Sequence, residues 1–256
     1  MRWLVLSLCT AAVALFGARS ATSPAATAAA GAAPPDIPQS NVFTPSGKLA
    51  PLRSRVTYQA SQFPIPLRVT PPNGSWAAAQ WKANLFGTDA EKAREHLTCS
   101  TNPKVCAPPY YGWVAVGPAG TYSGAPPGLV VVLAGYSRVP SVSATVADLR
   151  RGKNLELQPT RPVRLAGFRG VEFAGQTGAG KHFFIAFTPP SHGAAGGGAA
   201  DLIQMDGADH PFRFDVLNVR GKTVVILVGS LVLSPDAFPA FRAKADRLLR
   251  SLRFPG

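Results

Sequence analysis

Gly175-Gln176-Thr177-Gly178-Ala179-Gly180-Lys181-His182 has the glycine and lysine spacing of a phosphate-binding loop. Such a loop works by opening a helix, so that free backbone amides and the helix dipole meet the anion, and a Ser or Thr after the lysine holds magnesium. Here His182 takes the place of that hydroxyl, and Phe183-Phe184-Ile185-Ala186-Phe187 reads as a strand rather than a helix. The glycines are therefore read as a hairpin turn. Asp206, Asp209 and His210 offer oxygen and nitrogen ligands close together, and calcium is a conceivable occupant. Their spacing matches no derivable ligand loop, and Asp and Gly are what a turn needs in any case.

Catalytic constellations fare no better. Gly135-Tyr136-Ser137-Arg138-Val139 lacks the closing glycine of a nucleophile elbow. His96, His182, His192 and His210 are four candidate bases, none beside a recognisable nucleophile. Glu91, Glu95, Glu156 and Glu172 could supply a carboxylate pair for glycan cleavage, but nothing in their sequence context singles them out. The expectation is a protein without catalytic residues, cofactor or metal, with a cell-envelope hydrolase of unrecognised active site as the alternative.

Cys99 and Cys106 remain as an even pair across a Pro-containing loop. In an oxidising compartment they are expected to form a disulfide, worth roughly 2.5 kcal/mol by loop entropy. Two thiols at this spacing lack the further ligands that a zinc site needs. Trp76, Trp81, Tyr110, Tyr111 and Trp113 are the candidates for a recognition surface, because aromatics give contact area at low entropic cost. Core packing is the competing reading of the same five residues, since large aromatics dominate cores as well.

The compartment follows from the N-terminus. Met1-Arg2 is a short basic start, Trp3 to Gly17 an apolar run of fifteen residues, and Ala18-Arg19-Ser20 a small-residue pattern for cleavage. Crossing a bilayer takes roughly 20 apolar residues, so a secretory signal peptide over residues 1–20 is the reading, with an uncleaved membrane anchor as the alternative. Cys9 lies too early in the run to close a lipid-attachment box. Residues 21–55, rich in Ala, Pro, Thr and Ser, read as a flexible tether, and a single domain as residues 56–256.

Within that domain, short apolar runs alternate with turn signals. Extended pieces are expected at Arg55 to Gln59 and Phe63 to Val69, the second interrupted by Pro64 and Pro66. Strands are expected at Tyr111–Val116, Leu129–Leu133, Val163–Phe168, Val171–Ala174, His182–Phe187 and Leu202–Met205. Helices are expected at Asp89–His96, capped by Thr88, and from Ser141 or Ser143 to Arg151, with Val142, Val146 and Leu149 on one face. Pro189 to Ala200 is a Gly/Ala-rich loop. Many neighbouring strands joined by short turns imply a largely antiparallel sheet with helices inserted, an α+β arrangement.

The stretch Phe212 to Phe254 is the most readable. Phe212, Phe214 and Val216 alternate with Arg213 and Asp215, the period of a strand with one apolar face. Arg220-Gly221 sits where a hairpin needs positive φ, and Thr223 to Val228 is an apolar run suited to a strand covered on both faces. Ser234-Pro235-Asp236 offers a helix start, with Pro239 shifting it or making the first turn irregular. Beyond it Phe238, Phe241, Ala245, Leu248, Leu249 and Leu252 form an apolar stripe, with Asp246, Arg247, Arg250 and Arg253 on the other, solvated side.

Phe63 to Trp76 resembles the opening of PsbP-like domains: an apolar strand, then prolines, a turn glycine and a tryptophan. The stretch from Asp215-Val216-Leu217-Asn218-Val219-Arg220-Gly221-Lys222 to Ser251-Leu252-Arg253-Phe254 is similar to their last hairpin and helix. The resemblance covers Val56 to Phe254. It implies an α/β/α sandwich around an antiparallel sheet and an accessory or partner-binding role without catalysis. The chain departs from the family in its Cys99 to Cys106 loop and its Gly/Ala-rich insertion.

A net charge of +13, with 26 Lys and Arg against 13 Asp and Glu, is what an anionic partner such as a membrane surface or a wall polymer would attract, but the basic residues are scattered, and the charge reads as solubility with weak nonspecific attraction. The expected partner is a protein, a lipid or an anionic envelope component. Nucleic acid is not expected, because export separates the protein from it and no RNA-binding or helix-turn-helix motif is present. Membrane association would come through an uncleaved N-terminal segment.

Overall fold

The structure, a computed structural model, describes residues 33–40, 48–84, 110–120, 127–135, 141–152, 154–184, 203–229 and 234–256. Its elements in chain order are β1 (Ala50–Leu52), β2 (Tyr58–Gln59), β3 (Arg68–Val69), β4 (Trp76–Asn84), β5 (Tyr110–Pro118), β6 (Leu129–Gly135), α1 (Val142–Leu149), β7 (Leu155–Leu157), β8 (Arg161–Leu165), β9 (Phe168–Thr177), β10 (Lys181–Phe184), β11 (Ile203–Asp206), β12 (Pro211–Val219), β13 (Lys222–Gly229) and α2 (Phe238–Leu249). The signal segment, Cys9, the Cys99–Cys106 pair, the Asp89–His96 helix, Ser137, His96, His192, Glu91, Glu95 and the Pro189–Ala200 loop lie outside the described residues.

The β12–β13 hairpin closes through Arg220 at φ 53° and Gly221 at φ 81°. Two successive positive φ values give the turn whose twist suits an antiparallel pair, and Asn218 Oδ1 accepts from the Gly221 amide at 2.8 Å. β13 is paired on both edges, by β12 and by β6. The main sheet has nine antiparallel strands in the order β1-β4-β5-β6-β13-β12-β9-β7, with β8 also on β9. β10–β11 and β2–β3 form separate two-stranded ladders.

Alternation along the central strands sends successive side chains to different cores. Val130, Val132, Val224, Ile226 and Val228 join Phe238, Phe241, Ala245 and Leu248 of α2 in one cluster. Val131, Leu133, Val225 and Leu227 join Val146 and Leu149 of α1 in another. An all-apolar strand is stable here because both faces are covered, each buried side chain contributing about 1.5–3 kcal/mol.

Both helices start for legible reasons. Ser141 Oγ accepts from the Ala144 amide at 3.3 Å and caps α1. α2 has no side-chain cap and begins beside Pro239, where a missing amide hydrogen costs little. Ser234 holds the preceding turn through the Ala237 amide.

One expectation is corrected. The domain does not begin at Val56: Ile37 and Leu52 are both core residues, β1 pairs with β4, and the Ile37 amide donates to Gln59 at 2.8 Å. A composition poor in apolar residues therefore still inserts two of them into the core. β4 is a nine-residue strand over an Ala-rich stretch that carries no strand signal of its own. β1 and β5 impose the extended form by pairing on either side, and small side chains let Gln80 reach the Ile37 carbonyl inside the core.

Candidate functional site

The glycine-rich motif is a turn followed by a strand rather than a helix, but not the expected hairpin, because β9 and β10 lie in separate ladders. β9 runs through Thr177, and Lys181 opens β10, which pairs with β11. Thr177 joins this turn to the next one: its hydroxyl donates to the Gly207 carbonyl at 2.9 Å and accepts from the His210 amide at 3.0 Å. Asp209, at φ 62°, donates its amide to the Thr177 carbonyl. The two motifs that the sequence offers for anion and metal are thus two adjacent turns of one unit. Among the described residues no group of three His, Cys, Asp or Glu side chains is placed to hold a metal ion.

The aromatic recognition set divides. Trp76 and Trp81 are 5% and 7% exposed and belong to different apolar clusters, so they are core residues and cannot form one surface. Tyr110, Tyr111 and Trp113 lie on β5, with Trp113 opposite both Trp81 and Leu133 in register. For these three only the backbone is described.

A polar cluster that the sequence reading passes over lies between β12, β9 and α2. Arg213 and Asp215 occupy the second face of β12, where a solvated side was expected, yet they are 4% and 2% exposed. The α2 helix covers them. Arg213 Nη1 donates to Asp246 Oδ1 at 2.7 Å, and Nη2 lies 3.2 Å from Asp215 Oδ2. Glu172 stands opposite Asp215 in register and accepts from Arg161 Nε at 2.9 Å and from Arg242 Nη2 at 3.4 Å. Asp246 therefore holds the helix to the sheet rather than belonging to its wet side.

Three arginines and three carboxylates balance in charge, but unevenly. Burial pushes Asp215 up from 3.8 to about 6 despite the Arg213 charge, with Glu172 and Asp246 adding to the rise. Burial works against Arg213 as well, but Asp215 and Asp246 more than restore it, and its pKa lies above the ordinary value. The guanidinium is held firmly and the Asp215 carboxylate weakly. Arg213 Nε and Asp215 Oδ1 are buried without a hydrogen-bond partner among the described residues. The packing encloses Arg213, Asp215 and Glu172, while Arg161, Arg242 and Asp246 reach them from a partly exposed rim.

The open site lies past the C-terminus of α2. An open cleft of about 600 Å³ is lined by Thr57, Arg68, Thr70, Ala166, Ser251, Arg253, Phe254 and Pro255. Arg68 and Arg253 face each other across an antiparallel bridge in which each amide donates to the other's carbonyl at 2.9 Å. Directly opposed residues project to the same side of a ladder, and both arginines line the cleft. Arg253 Nη1 donates to the Arg250 carbonyl at 2.8 Å and the Leu252 carbonyl at 2.7 Å, which fixes its plane. From the hairpin turn, Arg220 donates to the carbonyls of Pro255 at 2.7 Å and Phe254 at 2.8 Å and holds the cleft wall.

The hydroxyls have limited freedom. Ser251 Oγ donates to the Leu248 carbonyl at 2.7 Å and accepts from the Thr70 amide at 3.3 Å, so its proton is used. Thr57 and Thr70 share one hydrogen bond at 2.8 Å, which leaves one proton of the pair. The charged groups lining the cleft are the two arginines.

No family model and no curated protein matches the chain. Among solved structures, the solution structure of cyanobacterial PsbP (CyanoP) from Synechocystis sp. PCC 6803 is similar, at 11% identity and a TM-score of 0.38, covering 83% of this chain and 100% of that chain. At this TM-score the likeness carries no argument.

Proposed function

We propose that this chain is a noncatalytic exported domain, an α/β/α sandwich of PsbP-like type, that binds an anionic component of the cell envelope through its surface loops. The chemistry of the cleft carries this reading. Two opposed guanidinium groups attract and orient an anion, and the lining contributes no carboxylate or imidazole to move a proton. Export is supported by the basic and apolar pattern of Met1 to Ser20, and an anionic partner by the net charge of +13. Among the described residues, Glu172 and Asp215 fit the hydrolase alternative poorly, because both are tied to arginines beneath α2.

The test is retention of the secreted form on its own envelope fraction across a salt gradient, with the bound material analysed afterwards. Binding that weakens with added salt and leaves the bound component unaltered is expected. Salt-independent retention removes the anionic partner, and chemical conversion of the component removes the noncatalytic role.

A further inference from the structure

We infer that the Arg68–Arg253 cleft is a built site for a phosphoryl group. The inference rests on the binding-domain reading, in that the ligand is held and not turned over. Like charges directly opposite each other across a ladder are destabilising, so an arginine pair on one bridge carries a cost that an anion between them reverses. Both side chains are exposed.

The pair is also prepared for a ligand. Arg253 spends Nη1 on two backbone carbonyls, which leaves Nε and Nη2 in a fixed plane. The Arg68 guanidinium has no partner among the described residues, so its whole fork is available. Arg220 fixes the Phe254 and Pro255 carbonyls from the hairpin turn, so the segment carrying Arg253 is held at both ends.

The number of donors selects the ligand. A carboxylate has two oxygens and satisfies one bidentate fork. Two forks and one remaining threonine proton need three or four oxygens, which a phosphoryl group has. Phe254, Pro255 and Ala166 form an apolar wall beside the charged end, which suits the organic part of a phosphate ester. The phosphoryl group can belong to a soluble ester or to a phospholipid headgroup.

Calorimetry of the secreted chain with inorganic phosphate, with acetate as the carboxylate control, reads the site directly. Flotation with phosphatidylglycerol vesicles, against pure phosphatidylcholine, separates the sources. The variants are Arg68→Gln and Arg253→Gln, both at exposed positions, with Arg247→Gln on the wet side of α2 as a control of equal charge change; circular dichroism checks folding. Saturable phosphate binding is expected, weakened about 10-fold or more by either cleft variant and less than about twofold by the control. Arginine-dependent flotation on phosphatidylglycerol assigns the lipid source; phosphate binding without flotation assigns the soluble ester.

The proposal is overturned if acetate competes as well as phosphate, if Arg247→Gln weakens binding as much as the cleft variants, or if neither probe binds saturably. Hydrolysis of p-nitrophenyl phosphate that depends on both arginines would keep the phosphoryl site and remove the binding-domain reading. Salt-sensitive envelope retention that survives both cleft variants would do the opposite.

Discussion

The two faces of the β12–β9 pair bury side chains equally and hold them by different physics. On the α1 side, Phe214 stacks on Phe173 with ring centroids 5.3 Å apart and meets Phe212 edge-on at 5.7 Å, and Arg150 lies 5.3 Å over the Phe173 ring. On the α2 side, one residue further along each strand, Arg213, Asp215 and Glu172 form ion pairs with Arg161, Arg242 and Asp246. The aromatic face gains from every buried atom. The ionic face first loses the hydration of its charges and recovers it only where geometry is complete, which it is not at Arg213 Nε or Asp215 Oδ1. The aromatic face supplies stability, and the ionic face fixes where α2 sits.

The largest effect expected is on the aromatic side. Phe214→Ala opens a cavity at a fully buried stack and should cost about 4 kcal/mol in denaturant unfolding. A loss under about 1 kcal/mol would mean that the face collapses around the gap.

On the ionic side, Arg213→Met strands two carboxylates at once and should cost about 3 kcal/mol. The double variant Arg213→Met/Asp215→Leu should recover most of that loss, since the penalty lies in the unpaired charge. If the double variant is worse than the single one, the pair contributes net stability and the contrast between the faces fails.

The third expectation concerns pH. Asp215 is raised in the folded state from 3.8 to about 6, so the folded chain binds its proton more tightly than the unfolded chain does. Stability from this group is therefore present at low pH and lost as pH rises from about 4 through about 6. Asp215→Asn cannot titrate. Between pH 7 and pH 4 the wild type should gain on that variant by about 2 to 3 kcal/mol, measured by urea unfolding at each pH. A constant difference across that window would show that Asp215 titrates normally.

The smallest effect belongs to the rim. Arg161 is 60% exposed, and Arg161→Gln should cost under about 1 kcal/mol and lose that effect in high salt.

The contrast also marks how far the chain could be read in one dimension. The β12–β13 hairpin, the doubly covered β13, the Ser141 cap and the Pro239 start were all legible, because each depends on residues a few positions apart. The glycine-rich turn at Gly178–Gly180 was legible by the strand that follows it. The ionic cluster was not: alternation of Arg213 and Asp215 with phenylalanines reads the same whether water or a helix covers the second face. Nor was β4, since Ala77, Ala78 and Ala79 have no strand preference and are extended only because β1 and β5 pair with them. In the sequence Trp76 and Trp81 are compatible with surface and with core, and burial assigns them to the core.

The cleft is the clearest case of the second kind. Arg68 ends a proline-interrupted segment and Arg253 lies beyond the terminal helix, and nothing local to either relates it to the other. By itself the sequence determined the periods, the turns, the caps and the charge, because these are set by short-range sterics and hydrogen bonding. The tertiary structure alone decided that Arg68 and Arg253 share a bridge and that Asp215 lies under α2. Such pairings are chosen by the burial of the whole sheet, which no single segment encodes.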